Sequence, residues 1–242
     1  MKNIGYSYLF MIVMSFLAVP LRTHADSGTT NDISKEEYCR EFKRIAFSNE
    51  EELLSRWDTT KLRVFLDGES KDVIYAKELF NKFSELSGIE IIYTRQKINI
   101  GLVFWDNSYR YALVTGEKLL KTWLPTKLDL FEYLKENAKE GNKDLVLQYS
   151  FNKSKKMILS IGIFDVPIAP DPSTITQENK DLITRAVITS LFPSLGNEPS
   201  IKFSGEVEEI FSPLTNAKHQ PLAQIWYGEN VHAGRSKNSF GC

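Results

Sequence analysis

The chain has 242 residues, 30 of them basic and 31 acidic, and 42% are hydrophobic. A net charge of −1 leaves no electrostatic footprint for nucleic acid. The length suits one domain with a core of useful size.

The first 25 residues read as a secretory signal peptide. A short basic start at Met1–Asn3 precedes a largely apolar run, Ile4 to Leu21, and Ala25 stands before the polar stretch DSGTTND. The alternative is an uncleaved anchor, but the dense apolar core, Tyr8 to Val19, is short for a span of about 20 residues. No cysteine directly follows the run, which argues against a lipoprotein anchor. Removing Lys2 and Arg22 with the leader leaves 28 basic residues against 31 acidic, a net charge of −3. The mature chain is then expected in the periplasm or outside the cell, with no stable membrane span.

Residues 26–56 are expected to form a helical preface to a single domain over 57–242. Ser34 and Glu37 have the three-residue spacing of a capping box, and Tyr38, Phe42, Ile45 and Ala46 form an apolar stripe. Ser48 followed by Glu50, Glu51 and Glu52 starts a second short helix, with Leu53, Leu54 and Trp57 on its buried side. The chain is organised around Lys61–Tyr93. Leu62, Val64 and Leu66 alternate along a strand that Asp67-Gly68 breaks. From Lys71 the period changes, and Val73, Ala76, Phe80 and Phe83 predict a helix. Ser70 is its expected N-cap, Asp72 complements the dipole of its first turn, and Gly88 ends it before a strand at Ile89–Tyr93.

Ile98–Asp106 is apolar enough for a strand with little exposed surface, and Gly101 within it marks a bulge or a close backbone approach. Asn107–Gly116 reads as a loop or edge strand, followed by helical turns at Glu117–Trp123 and a helix at Leu128–Ala138. Leu145 to Phe151 and Leu159 to Ile163 alternate as a hairpin about the turn Asn152–Lys156. After the connector Pro167–Pro172, Thr176 caps a helix at Gln177–Phe192 whose apolar face is Leu182, Ile183, Ala186, Val187 and Leu191. The tail is irregular, with one short helix at Pro221–Tyr227. These elements predict an α+β fold: a central mixed sheet with packed helices, after a helical N-terminal segment.

The chemistry-bearing residues are few. Beyond the leader the histidines are His219 and His232, with no tight ligand spacing, and both read as surface residues of a Gly- and Pro-containing tail. A metal pair completed by a distant carboxylate is the sharper alternative. No Gly-x-Ser-x-Gly elbow, P-loop or Gly-x-Gly-x-x-Gly turn occurs. No catalytic residue, metal ligand or cofactor is therefore assigned. Trp105, Tyr109 and Tyr111 form an aromatic cluster that could line a binding groove or simply pack. Cys39 and Cys242 are the only cysteines. Export favours a disulfide between them, which closes a loop long enough to be worth about 4–5 kcal/mol in the chain-entropy model. The alternative is two thiols, with Cys39 a small core hydrophobe.

Three stretches resemble the proteobacterial domain-of-unknown-function family 2927: KLRVFLDGESKDVIYAKELFNKFSELSGIEIIYTRQKINIGLVFW, LITRAVITSLFPSLGNEPSIKFSG and LTNAKHQPLAQIWYGENVHAGRS. Together they span about Trp57 to Ser236. The resemblance implies a compact exported α+β domain of unknown role. The family's later helix carries a Glu-Glu-x-x-Gln type pattern, where this chain has Arg185, Ala186 and Thr189. The acidic and amide groups are gone, so no active residue is carried over. The expected function is a non-enzymatic interaction with a protein partner in the bacterial envelope. The alternative is a divergent, metal-dependent hydrolase whose zincin-like helix has lost its polar residues.

Overall fold

The alternating strand and the 3.6-residue stripe at Lys61–Tyr93 need one apolar surface between them, and the chain supplies it by crossing over. The computed structural model describes residues 33–47, 53–106, 144–151, 154–169, 171, 173–193, 195, 200–201 and 209–240. Strand β1 (Lys61–Gly68) leads into helix α2 (Ser70–Ser87), which returns the chain to β2 (Glu90–Tyr93), parallel to β1. Strand β3 (Ile100–Trp105) then pairs parallel to β1 on its other side. Strand β5 (Lys156–Asp165) pairs parallel to β3, and β4 (Asp144–Phe151) pairs antiparallel to β5 as a hairpin. The sheet is mixed, with order β2-β1-β3-β5-β4. A two-residue ladder joins β6 (Ser200–Ile201) to β7 (Glu209–Ile210). The helices are α1 (Lys35–Ala46), α2, α3 (Gln177–Leu191) and α4 (Gln220–Trp226). The fold is thus α+β, with a mixed sheet and packed helices, as the sequence pattern predicts. No described helix is long and apolar enough to cross a membrane.

Several local signals act as read. The Ser34–Glu37 capping box forms, Thr176 accepts a hydrogen bond from the Asn179 N–H, and Gly88 ends α2 at φ 71°. Others differ. Ser70 is the first helical residue, and Glu69 takes the N-cap position without a side-chain cap. Gly101 keeps regular register with both neighbours, and the sheet's irregularity lies in β4, between Tyr149 and Ser150. The second preface helix is not formed where it can be seen. Leu53–Arg56 is extended, because backbone N–H groups within it find remote acceptors: the Leu54 N–H donates to the Arg235 carbonyl (2.9 Å) and the Arg56 N–H to that of Lys155 (3.3 Å). Ser48–Glu52, the expected helices at 117–123 and 128–138, Tyr109, Tyr111 and Cys242 lie outside the described residues. Cys39 is buried on α1, one turn before Phe42, whose ring stands 5.1 Å from that of Phe240.

The core is held together by rings. Phe192, just past α3, meets Phe83 of α2 and also Phe211, Trp226 and Tyr227, at centroid distances of 5.4–5.9 Å. Near-perpendicular pairs of this kind add about 0.5–1.5 kcal/mol each beyond the area they bury. Beside them lies a cation. Arg56 is 7% exposed, and its guanidinium donates to the carbonyls of Trp57 (3.3 Å), Trp226 (2.9 Å) and Val231. It also stands 4.9 Å from the centre of the Tyr227 ring. Burial lowers the pKa of Arg56 and raises that of Tyr227, whose hydroxyl donates to the Leu191 carbonyl. Trp57 Nε1 donates to Ser190 (2.8 Å) and Trp226 Nε1 to Ser55 (3.2 Å). The segment Ser55–Trp57 is therefore bonded to both α3 and α4.

Replacing Arg56 with Met keeps the stem but leaves three buried carbonyls without their donor. We expect a loss of about 3 kcal/mol in urea unfolding, since each orphaned acceptor costs about 1–3 kcal/mol. A loss under about 1 kcal/mol would show that water replaces the guanidinium there.

Candidate functional site

The strand order reverses direction at β1: the chain goes first to β2 on one side and then to β3 on the other. Ligands of open sheets gather at the carboxyl ends of strands next to such a reversal. Here those ends are Asp67–Gly68, Trp105 and Asp165. Gly68 is needed for the turn, since a Cβ there would lie 2.6 Å from the Phe104 carbonyl oxygen. Both α2 and α3 begin from this edge, after β1 and β5, and pack against each other.

The seam between these helices is polar at its start and apolar further down. Asp72 of α2 and Asn179 of α3 are 2% and 1% exposed. Asn179 Nδ2 donates to the Pro167 carbonyl (3.0 Å), and its side chain is within hydrogen-bonding reach of the Asp72 carboxyl. One turn on, the Tyr75 and Thr184 hydroxyls are 3.0 Å apart. Burial raises the pKa of Asp72, an effect that the nearby Lys71 ammonium opposes. Lys71 Nζ sits 3.1 Å from Glu69. By contrast the exposed Asp171 carboxyl accepts from the Ser173 hydroxyl (2.7 Å) and N–H (2.8 Å), which hold it below the usual aspartate range.

The seam opens onto a groove of about 610 Å³ along the outer face of α3. Gln177, Lys180, Asp181, Thr184, Arg185, Ile188 and Thr189 recur at three- and four-residue steps along one side. Tyr75 stands at one end, and Ile210, Phe211, Ser212 and Thr215 make the opposite wall. Gln177 Nε2 donates to the Asp181 carboxylate (2.8 Å), and Lys180 Nζ lies 5.9 Å from the centre of the Tyr75 ring. Arg185 is exposed, and Ile210 is 71% exposed on the rim.

The far wall is pinned by His219. Its Nδ1 accepts the Ser212 N–H (3.0 Å), and its Nε2 lies 3.2 Å from Glu209 Oε2. With Nδ1 accepting the Ser212 N–H, a proton on Nε2 faces the Glu209 carboxylate. Asn216 Nδ2 donates to the same Glu209 oxygen (3.2 Å), and the His219 ring stacks on Phe211, 6.3 Å between centroids. Serine, histidine and glutamate thus meet here, but not as a hydrolytic set. The imidazole acceptor is spent on the backbone N–H of Ser212, while the Ser212 hydroxyl is hydrogen-bonded to that of Thr215.

The two histidines therefore separate. His219 is 1% exposed, which corrects its reading as a surface residue; the cause is the carboxylate and the N–H that satisfy its ring. His232 is exposed as expected, 3.7 Å from Asp58. Among the described residues no group of three His, Cys, Asp or Glu side chains is placed to hold a metal. Trp105 ends β3, half-buried and in register with Asp165, away from the residues that line the groove. Sequence reasoning missed the groove because the polar side of an amphipathic helix ordinarily faces water. Arg185 and Thr189 both line it, whereas Ala186, between them, is in the core. No family model, curated protein or solved structure matches this chain.

If His219 is a pin, His219→Phe keeps the ring stack and removes both hydrogen bonds, at an expected cost of about 2 kcal/mol in urea unfolding. His232→Ala should stay within about 0.5 kcal/mol. Equal costs for both variants would contradict this assignment.

Proposed function

We propose that this protein is an exported bacterial envelope protein that binds a partner chain in the α3 groove and performs no chemistry there. The observation that carries the reading is the groove itself, with His219 behind its wall hydrogen-bonded to Ser212 and Glu209. The lining favours an extended peptide segment. Ile188 and Ile210 offer apolar contact for one side chain, and Thr184, Thr189 and Thr215 add polar lining beside them. Lys180 and Arg185 favour an acidic residue, since Asp181 on the same face already has Gln177 as a donor. Arg185 and Thr189 stand where the resemblance would put acidic and amide groups, which speaks for binding over the hydrolase alternative.

Export would also allow Cys39 to pair with Cys242. Phe240 lies on the Cys39-bearing side of α1, only two residues before the end of the chain. Mature protein from an oxidising host should then yield a Cys39–Cys242 linked peptide on non-reducing mapping. Recovery of both cysteines as thiols would count against the pairing.

The groove is tested with a photo-crosslinking residue in place of Thr189 in exporting cells. A discrete protein adduct is expected, lost when Arg185→Glu is added and kept with Lys237→Glu, an exposed site in the tail. An adduct indifferent to Arg185→Glu, or no adduct at all, would refute the groove as the docking site.

A further inference from the structure

We infer that Asp72 is a proton-binding site that clasps α2 to α3 in acid and relaxes as the pH rises. This stands apart from the identity of any groove ligand. The observation is a pair of buried oxygens. Asp72 Oδ1 and Asn179 Oδ1 are both fully shielded from solvent and neither has a hydrogen-bond partner among the described residues. Both belong to side chains that are 98–99% buried at the top of one helix seam. Two acceptors without a donor are costly in such a place, where the dielectric is low and each unmet group keeps its full desolvation penalty. Asn179 cannot supply the donor to its own oxygen, and one of its two N–H groups serves the Pro167 carbonyl. A proton taken from solvent onto Asp72 resolves both at once. The carboxyl O–H then donates across the seam to Asn179 Oδ1, and the buried charge disappears.

The charged neighbours set the balance. On α2 itself Lys71 favours the carboxylate and Glu69 disfavours it. From α3 the facing group is Asn179, uncharged, whose side-chain hydrogen bond to the carboxyl favours the ionised form. On the connector before α3, Asp171 shares the Lys71 cation, which weakens its hold on Asp72. Desolvation outweighs these and raises the Asp72 pKa above 3.8. A carboxyl raised by folding contributes stability in full below its unfolded value, and that stability is lost as the pH climbs through the folded one. The clasp therefore tightens as the pH falls through the folded Asp72 value. It acts on the groove, because Tyr75 lies one turn beyond Asp72 and Lys180 directly follows Asn179.

The test is thermal unfolding of the mature chain and of Asp72→Asn from pH about 3.5 to about 8, a range that brackets the unfolded aspartate value. The amide mimics the protonated carboxyl in shape and donor. At the high end Asp72→Asn should raise Tm by about 2–4 °C, and the gap should close at the low end. Asp171→Asn, at an exposed carboxyl held low by Ser173, should instead lower Tm at the high end. A gap for Asp72→Asn that is constant with pH, or a Tm below wild type at pH about 8, overturns the proposal. A second measurement needs no variant. The carbon-13 signal of the Asp72 carboxyl in the wild-type chain should titrate above the ordinary aspartate midpoint of about 3.9, and a midpoint at or below it overturns the clasp equally.

Discussion

A buried guanidinium is the constraint on which the rest of the molecule depends. Arg56 cannot shed its charge at any physiological pH, so the chain must surround it with acceptors or leave it in water. It is given the carbonyls of Trp57, of Trp226 at the end of α4 and of Val231, and the face of Tyr227. That choice forces a stretch near the N-terminus and a stretch near the C-terminus into one place. It explains why Leu53–Trp57 is extended: a helix there would turn Arg56 and Trp57 away from partners more than 130 residues distant.

From that point the structure can be followed by contact to the groove. Tyr227, under the guanidinium, bonds the end of α3 through the Leu191 carbonyl. Phe192 comes next and takes Phe211 edge-on, and His219 stacks on the other side of Phe211. His219 in turn holds Ser212, which is the groove wall. One wall of the groove is α3 itself; the other is held to α3 by this series of rings and bonds. The polar lining rests on a rigid apolar support, as a binding surface needs if it is to avoid large ordering costs when it is filled.

What was legible in the sequence is what depends on near neighbours. The α2 stripe from Ala76 to Phe83, the stop at Gly88, the Ser34–Glu37 box and the Thr176 cap need only residues within a turn or two, and each forms. The mixed sheet followed because a strand-helix-strand unit and a hairpin were both readable. What was illegible depends on remote partners. Nothing around His219 says that Glu209 and Ser212 will enclose it. Asp72 reads as a dipole complement at an exposed helix start, and only the arrival of α3 buries it. The groove requires a polar helix face to meet Ile210–Thr215, and no local pattern encodes that meeting.

The central claim, that the α3 groove is a docking site for an acidic and apolar peptide segment, is most directly tested by amide chemical-shift mapping. Isotope-labelled mature chain would be titrated with two short extended peptides, each with a branched apolar residue, one carrying glutamate and the other lysine at a neighbouring position. The account predicts saturable shifts confined to 177–189 and 210–215 with the acidic peptide and much weaker ones with the basic peptide. Shifts gathered instead around Trp105 and the strand ends, or equal responses to the two peptides, would contradict it.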